Sequence, residues 1–145
     1  MTLRYQDWPV RLERELEAFR DEPWRWGFHD CAMFAAHIVE AITGADFSRG
    51  LHGYKSARGA AAVVKKKGGV VEMIDEGAAK NKIKQCDPAF ASRGDVVIVE
   101  HSIANAFDHM AVGVVGLSGR HVAVAANLGW IWIPVETVLH AWKVD

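Results

Sequence analysis

Two cysteines and seven histidines are the residues of this 145-residue chain best suited to nucleophilic or acid–base chemistry. Cys31 follows Asp30 and opens an apolar run that continues through Thr43 and stops at Gly44. Asp30 as N-cap and Gly44 as terminator predict a helix whose first turn carries the thiol. Free N–H groups and the helix dipole favour negative charge there, and the thiolate is the nucleophilic form of cysteine. The same N–H groups suit the oxyanion of a tetrahedral intermediate. Gly27 and the Trp24/Trp26 pair, just upstream, are placed to shape a groove wall. A buried structural cysteine fits the position equally well, because free cysteine is among the most buried residue types.

A thiol nucleophile needs a base, and imidazole is the usual one. His29 is too near Cys31 in sequence to reach back easily. His37, six residues along the same helix, falls on a different face. His52 and His140 lie outside any strong motif and read as surface residues. His101, His109 and His121 remain, on or near segments that read as strands, each against the alternative of an ordinary solvated histidine. His109 opens a strand, where a rigid element can hold its ring, whereas His101 lies just past a strand end. No HExxH or CxxC spacing appears, so neither a metal nor another cofactor is expected.

The elements that must position these groups divide the chain in two. Asp7 as N-cap, Pro9 in the first turn and Leu12, Leu16 and Phe19 at helical spacing predict a first helix, ended by Asp21-Glu22-Pro23. The Cys31 helix is apolar almost all the way round, which marks a central, buried helix. A third helix runs from Ser56 to Gly68-Gly69, and a weaker fourth spans Val71 to Ala79. After Pro88, the segments Asp95–Glu100, Met110–Val115, His121–Ala126 and Trp130–Pro134 read as strands, separated by turn residues. Val135 to Val144 closes the chain, with Leu139 and Trp142 turned toward something apolar. Helices followed by an antiparallel meander predict an α+β fold in one domain, residues 1–145: mainly helical over 1–87, mainly sheet over 88–145.

With 50% hydrophobic and 24% charged residues the chain has ordinary globular composition. Its 17 basic and 18 acidic residues leave a formal net charge of -1, so nothing electrostatic points to nucleic acid. The only basic block, Lys65-Lys66-Lys67, reads as a solvated helix end. No apolar stretch approaches the roughly 20 residues of a membrane helix, and Met1 to Asp21 lacks the apolar core of a signal peptide. Synthesis in the cytoplasm without membrane insertion is therefore expected. Cys31 and Cys86 are too few for a disulfide framework and read as having separate fates.

The segment Trp26-Gly27-Phe28-His29-Asp30-Cys31-Ala32 resembles the Asp-Cys helix start of the NlpC-type cysteine peptidases, a branch of the papain-like clan. Arg93-Gly94-Asp95-Val96-Val97 is similar to their Gly-Asp-hydrophobic strand, and His109 to Gly116 to the strand that carries their base. The resemblance covers Trp24 to Ala126. It implies a Cys-bearing helix packed on an antiparallel sheet, and hydrolysis of amide bonds in peptidoglycan stem peptides. Carried over residue by residue, it implies Cys31 as nucleophile, His109 as base, and Trp26, Gly27 and Asp30 beside the substrate. His121 matches the position that orients the imidazole, with Asn127 as the fallback. Two departures stand out: Ala32-Met33 replaces the family's Ser-Gly, and one extra residue separates His109 from Gly113.

Small tail-associated proteins of phages and prophages share more of the pattern. They resemble this chain at Trp26-Gly27, Asp30-Cys31-Ala32, Thr43-Gly44-Ala45-Asp46, Tyr54, Arg93-Gly94-Asp95, Gly113-Val114 and Ala141-Trp142-Lys143-Val144. Two functions follow from the resemblances. The leading one is a phage-derived thiol peptidase acting on peptidoglycan peptides. The other is a non-catalytic tail assembly or structural protein that keeps the fold, has phage tail proteins as partners, enters the virion, and carries an inert Cys31.

Overall fold

The apolar run after Asp30 forms a helix, α2 (Cys31–Thr43), with ten of its 13 residues buried. The computed structural model describes residues 3–48, 51, 53–101 and 109–145, so His52 lies outside the described residues. The Asp30 carboxylate accepts the Met33 N–H at the start of α2, and Gly44 ends it in the left-handed conformation with its N–H on the Glu40 carbonyl. Phe34, Ile38, Val39 and Ile42 are fully buried. Each such side chain contributes about 1.5–3 kcal/mol of hydrophobic stabilisation.

The other helices are α1 (Trp8–Ala18), α3 (Ala57–Lys67) and α4 (Val70–Lys80). Helix α1 packs along α2 through Leu12 and Leu16. Asp7 stands at its N-cap position without capping it, because the carboxylate turns to the Arg11 guanidinium at 2.7 Å. Ser56 does cap α3, its Oγ accepting the Gly59 N–H. The basic block forms the last turn of α3, and Lys67 pairs with Glu76 of α4 at 2.8 Å.

The sheet has six strands among the described residues: β1 (Gln85–Cys86), β2 (Val96–Glu100), β3 (Met110–Val115), β4 (His121–Ala125), β5 (Trp130–Pro134) and β6 (Val138–Trp142). Their order is β1-β6-β2-β3-β4-β5, antiparallel throughout. The fold is α+β, with α2 lying against β3 and β4. The closing segment is itself a strand, which returns across the sheet to pair with β2 on the side away from β3. Trp142 is fully buried there, and its indole N–H donates to Asp75 of α4 at 2.6 Å. Leu139 departs from the sequence-based expectation, being 41% exposed. The register explains it: Ile98 faces His140 and Val99 faces Val138, so Leu139 is the extra residue of a bulge and is turned outward.

Asp95 joins both chain ends to the sheet. Its carboxylate is fully buried, and one oxygen accepts the Val144 N–H and the Arg4 guanidinium at 2.9 and 3.0 Å. The other accepts the Ser92 N–H, the Ser92 hydroxyl and the Lys143 ammonium. A buried carboxylate so placed is stable only while its donors remain. Asp95→Ala, which removes the acceptor shared by Arg4, Lys143, Ser92 and the Val144 N–H, is expected to cost about 3–5 kcal/mol. A urea titration of the variant against the wild type measures it.

Candidate functional site

The segment before α2 folds into a tight loop in which Arg25 and His29 exchange main-chain hydrogen bonds. Gly27 sits at its tip with φ +84, and a Cβ there would run into the Tyr54 carbonyl. Both constraints demand glycine. Asp30 ends the loop with only 2% of its surface exposed. It accepts three hydrogen bonds: Met33 N–H at 2.9 Å, Gly27 N–H at 2.9 Å and the Tyr54 hydroxyl at 2.6 Å. Burial and the adjacent carboxylate push the Tyr54 pKa up, so the phenol keeps its proton and serves as a donor.

Cys31 lies behind this network, 4% exposed and not disulfide-linked. Its thiol is pushed up to about 11, chiefly by burial. The main-chain N–H of Val112 pulls the other way, the Asp30 charge adds to the rise, and the N–H groups of Ala32 and Cys31 offset it in part. At pH 7 a thiol of that pKa is ionised in roughly one molecule in ten thousand. The thiol borders a recess of about 330 Å3, counting its open mouth, lined by Trp26, Tyr54, Val63 of α3, Met73 of α4 and Val112 of β3 among others. The lining is overwhelmingly apolar, and no histidine among the described residues belongs to it.

His109 is exposed, with φ +60, one residue before β3. Its carbonyl accepts the His101 N–H. The β3 residue that meets Cys31 is Val112, three positions further on. His121 is also exposed, edge-on to Trp132 with ring centroids 6.3 Å apart. The register Val115↔Val122 puts it beyond the far end of β3, about 20 Å from His109 at roughly 3.3 Å per residue. Extended along the strands, the same register carries Asn127 toward the His109 end, and the Asn127 carbonyl accepts the Trp24 N–H. Trp26, Gly27, Asp30 and Cys31 are therefore brought together; His109 and His121 are brought neither to them nor to each other. Among the described residues no group of histidine, cysteine, aspartate and glutamate has the arrangement of a metal site.

Two residues of this region were given no role in the site by the sequence reading, which set His29 aside as a base. Tyr54 appeared only as one element of a shared pattern, and nothing local announces its contact with Asp30, 24 positions away. His29 is fully buried, its Nε2 2.7 Å from the Gly129 carbonyl, which therefore takes the proton-bearing nitrogen as donor. The ring stacks on Phe19 at 5.3 Å and meets Phe34 edge-on. Its Nδ1 is buried without a partner. Burial lowers the His29 pKa, ahead of the opposing Gly129 carbonyl, Glu22 and Asp30.

Fold and site together define an α+β domain with a cysteine at the N-terminus of its central helix and an apolar recess above it. The chain belongs to a family described as a domain of unknown function (DUF6950), which matches residues 3–144. No curated protein matches it. No helix among the described residues is long and apolar enough to cross a membrane.

The His29 shift predicts a pH dependence of stability. The folded state holds this ring neutral, so between the unfolded value near 6.5 and the lower folded value the unfolded chain binds more protons. The contribution of His29 is complete above about pH 6.5 and is lost as pH falls below it. Urea midpoints from pH 7.5 to 5 should fall more steeply for the wild type than for His29→Gln, once each is referred to its own value at pH 7.5.

Proposed function

We propose that this chain is a non-catalytic assembly or structural domain of a phage or prophage tail, built on a papain-like, NlpC-type framework, with Cys31 as a packing residue. The observation that carries the reading is the surroundings of the thiol. Cys31 is buried, its pKa is raised, and the strand position that meets it is Val112, which can neither accept nor return a proton. Covalent catalysis by cysteine needs an activated thiolate beside a base, and His109 is exposed on the near end of the strand instead. The tail assignment rests on the shared residues that run from Trp26-Gly27 through Tyr54 to Ala141-Trp142-Lys143-Val144. Phage tail proteins are then the partners.

One observation favours the peptidase reading. Cys31 occupies the first turn of α2, and N–H groups of Val112, Ala32 and Cys31 itself stabilise negative charge on its sulfur. In that reading Cys31 attacks a stem-peptide carbonyl and a base rearranged from the His109 segment takes the proton.

Two measurements separate the readings. In a Cys86→Ala background, iodoacetamide at pH 7 should alkylate Cys31 more slowly than an ordinary exposed thiol. Purified peptidoglycan incubated with the wild type and with Cys31→Ala should release the same peptides, at background level, by mass spectrometry. Peptide release that depends on Cys31 establishes the peptidase.

A further inference from the structure

Strand β5 is one of the two edges of the sheet, and it lacks the usual protection. From Ala126 to Val135 the chain carries no charged residue. Edge strands are normally guarded by charges, bulges or proline, because their unpaired main-chain groups template further pairing. Here Pro134 guards the end of the strand, and the Glu22–Trp24 segment bridges Leu128 just before its start, which leaves Trp130 to Ile133 without a guard.

The hydrogen-bond phase of the hairpin shows which groups are exposed. Ala126 N–H donates to the Gly129 carbonyl, and Val135 N–H to the Arg120 carbonyl. Antiparallel pairs alternate between bonded and non-bonded, so Val124↔Ile131 and Val122↔Ile133 are the bonded pairs between them. The main-chain groups of Trp130, Trp132 and Pro134 therefore point away from β4. These comprise the N–H groups of the two tryptophans and three carbonyls, of which that of Pro134 already accepts the Thr137 hydroxyl. Beside them Leu128 is 64% exposed, Trp132 46% and Ile131 38%.

We infer that β5 pairs antiparallel with β5 of a second copy of this chain about a twofold axis, extending the sheet across two protomers. With Trp130 of one copy opposite Trp132 of the other, each pair exchanges both main-chain bonds. Both outward N–H groups are then satisfied in each copy, and Pro134, which has none to offer, falls outside the paired segment. The edge is self-complementary in charge as well as in hydrogen bonding. Two copies bring no like charges together, while a strongly charged strand from another protein finds no opposite charge on β5. Trp130 and Trp132 already pack edge-on at 4.8 Å, and Trp132 leans over Gly116. The second copy extends this aromatic row by cross-strand pairs of the kind that stabilise sheets. The inference does not depend on the chemistry of Cys31.

Sedimentation velocity on the whole chain, from about 1 to 1,000 μM, tests it, since a small apolar interface corresponds to micromolar association. Wild type and Trp132→Phe are expected to shift from monomer to dimer across that range, and Trp132→Lys, which places a charge on the edge, to remain monomeric. Hydrogen exchange on wild type needs no variant to fold: the Trp130 and Trp132 amides should slow by at least roughly tenfold in the dimer. A wild type that stays monomeric throughout overturns the inference, including one whose edge is captured only by a strand of another protein. So does a dimer in which those two amides exchange at the monomer rate, or a folded Trp132→Lys that dimerises like the wild type.

Discussion

The carboxylate of Asp30 is the interaction around which the candidate site is organised. Its three donors come from the Gly27 turn, the first turn of α2 and Tyr54, so one buried charge ties the turn, the helix start and a residue 24 positions away to a single point. The same carboxylate determines the electrostatics of the neighbouring thiol. A helix N-terminus lowers a cysteine pKa when its N–H groups and dipole are left to the sulfur. Here the cap takes the Met33 N–H and sets a negative charge beside Cys31, while burial removes the water that would support a thiolate. Position at a helix N-terminus and activation are separable properties, and the capping residue and its burial decide between them.

Asp95 has the corresponding role for the sheet. It gathers Arg4 from the N-terminal segment and Lys143 and Val144 from the C-terminal one at the start of β2. The central strand pays for this convergence with a fully desolvated charge, compensated by five donors. The return of β6 beside β2 then completes the burial of Val96, Val97, Ile98 and Val99, which are at most 1% exposed. A strand buried on both faces reads as a continuous apolar run rather than an alternating one, as this one does. The rigid platform under α2 follows, and with it the recess whose lining α3, α4 and β3 share.

Much of the architecture was legible locally. Asp30 and Gly44 bound α2, and Ser56 and Gly68 bound α3, because capping is a matter of a few neighbouring backbone groups. Strands β2 to β5 follow from runs of β-branched and aromatic residues separated by turns. Asp7 shows the limit of that method. Its side chain had a competing cation four residues away, and the ion pair took the oxygen that the cap would have used. Leu139 shows another: a single bulged residue reverses the face of a side chain, and a bulge depends on the partner strand.

By itself the sequence determined the α+β class, the buried helix, the position of Cys31 at its start, and the strands of the meander. Each of these follows from periodicity and caps over a few residues. Only the tertiary structure decided what surrounds the thiol. Which β3 residue meets Cys31 depends on how α2 lies across the sheet, and that placed Val112 there rather than His109. The separation of His109 from His121 depends on strand register, the burial of His29 on the aromatic cluster of Phe19 and Phe34, and the Tyr54 bond on a contact 24 residues long. Long-range packing sets these relations, and no local pattern of residue types encodes them.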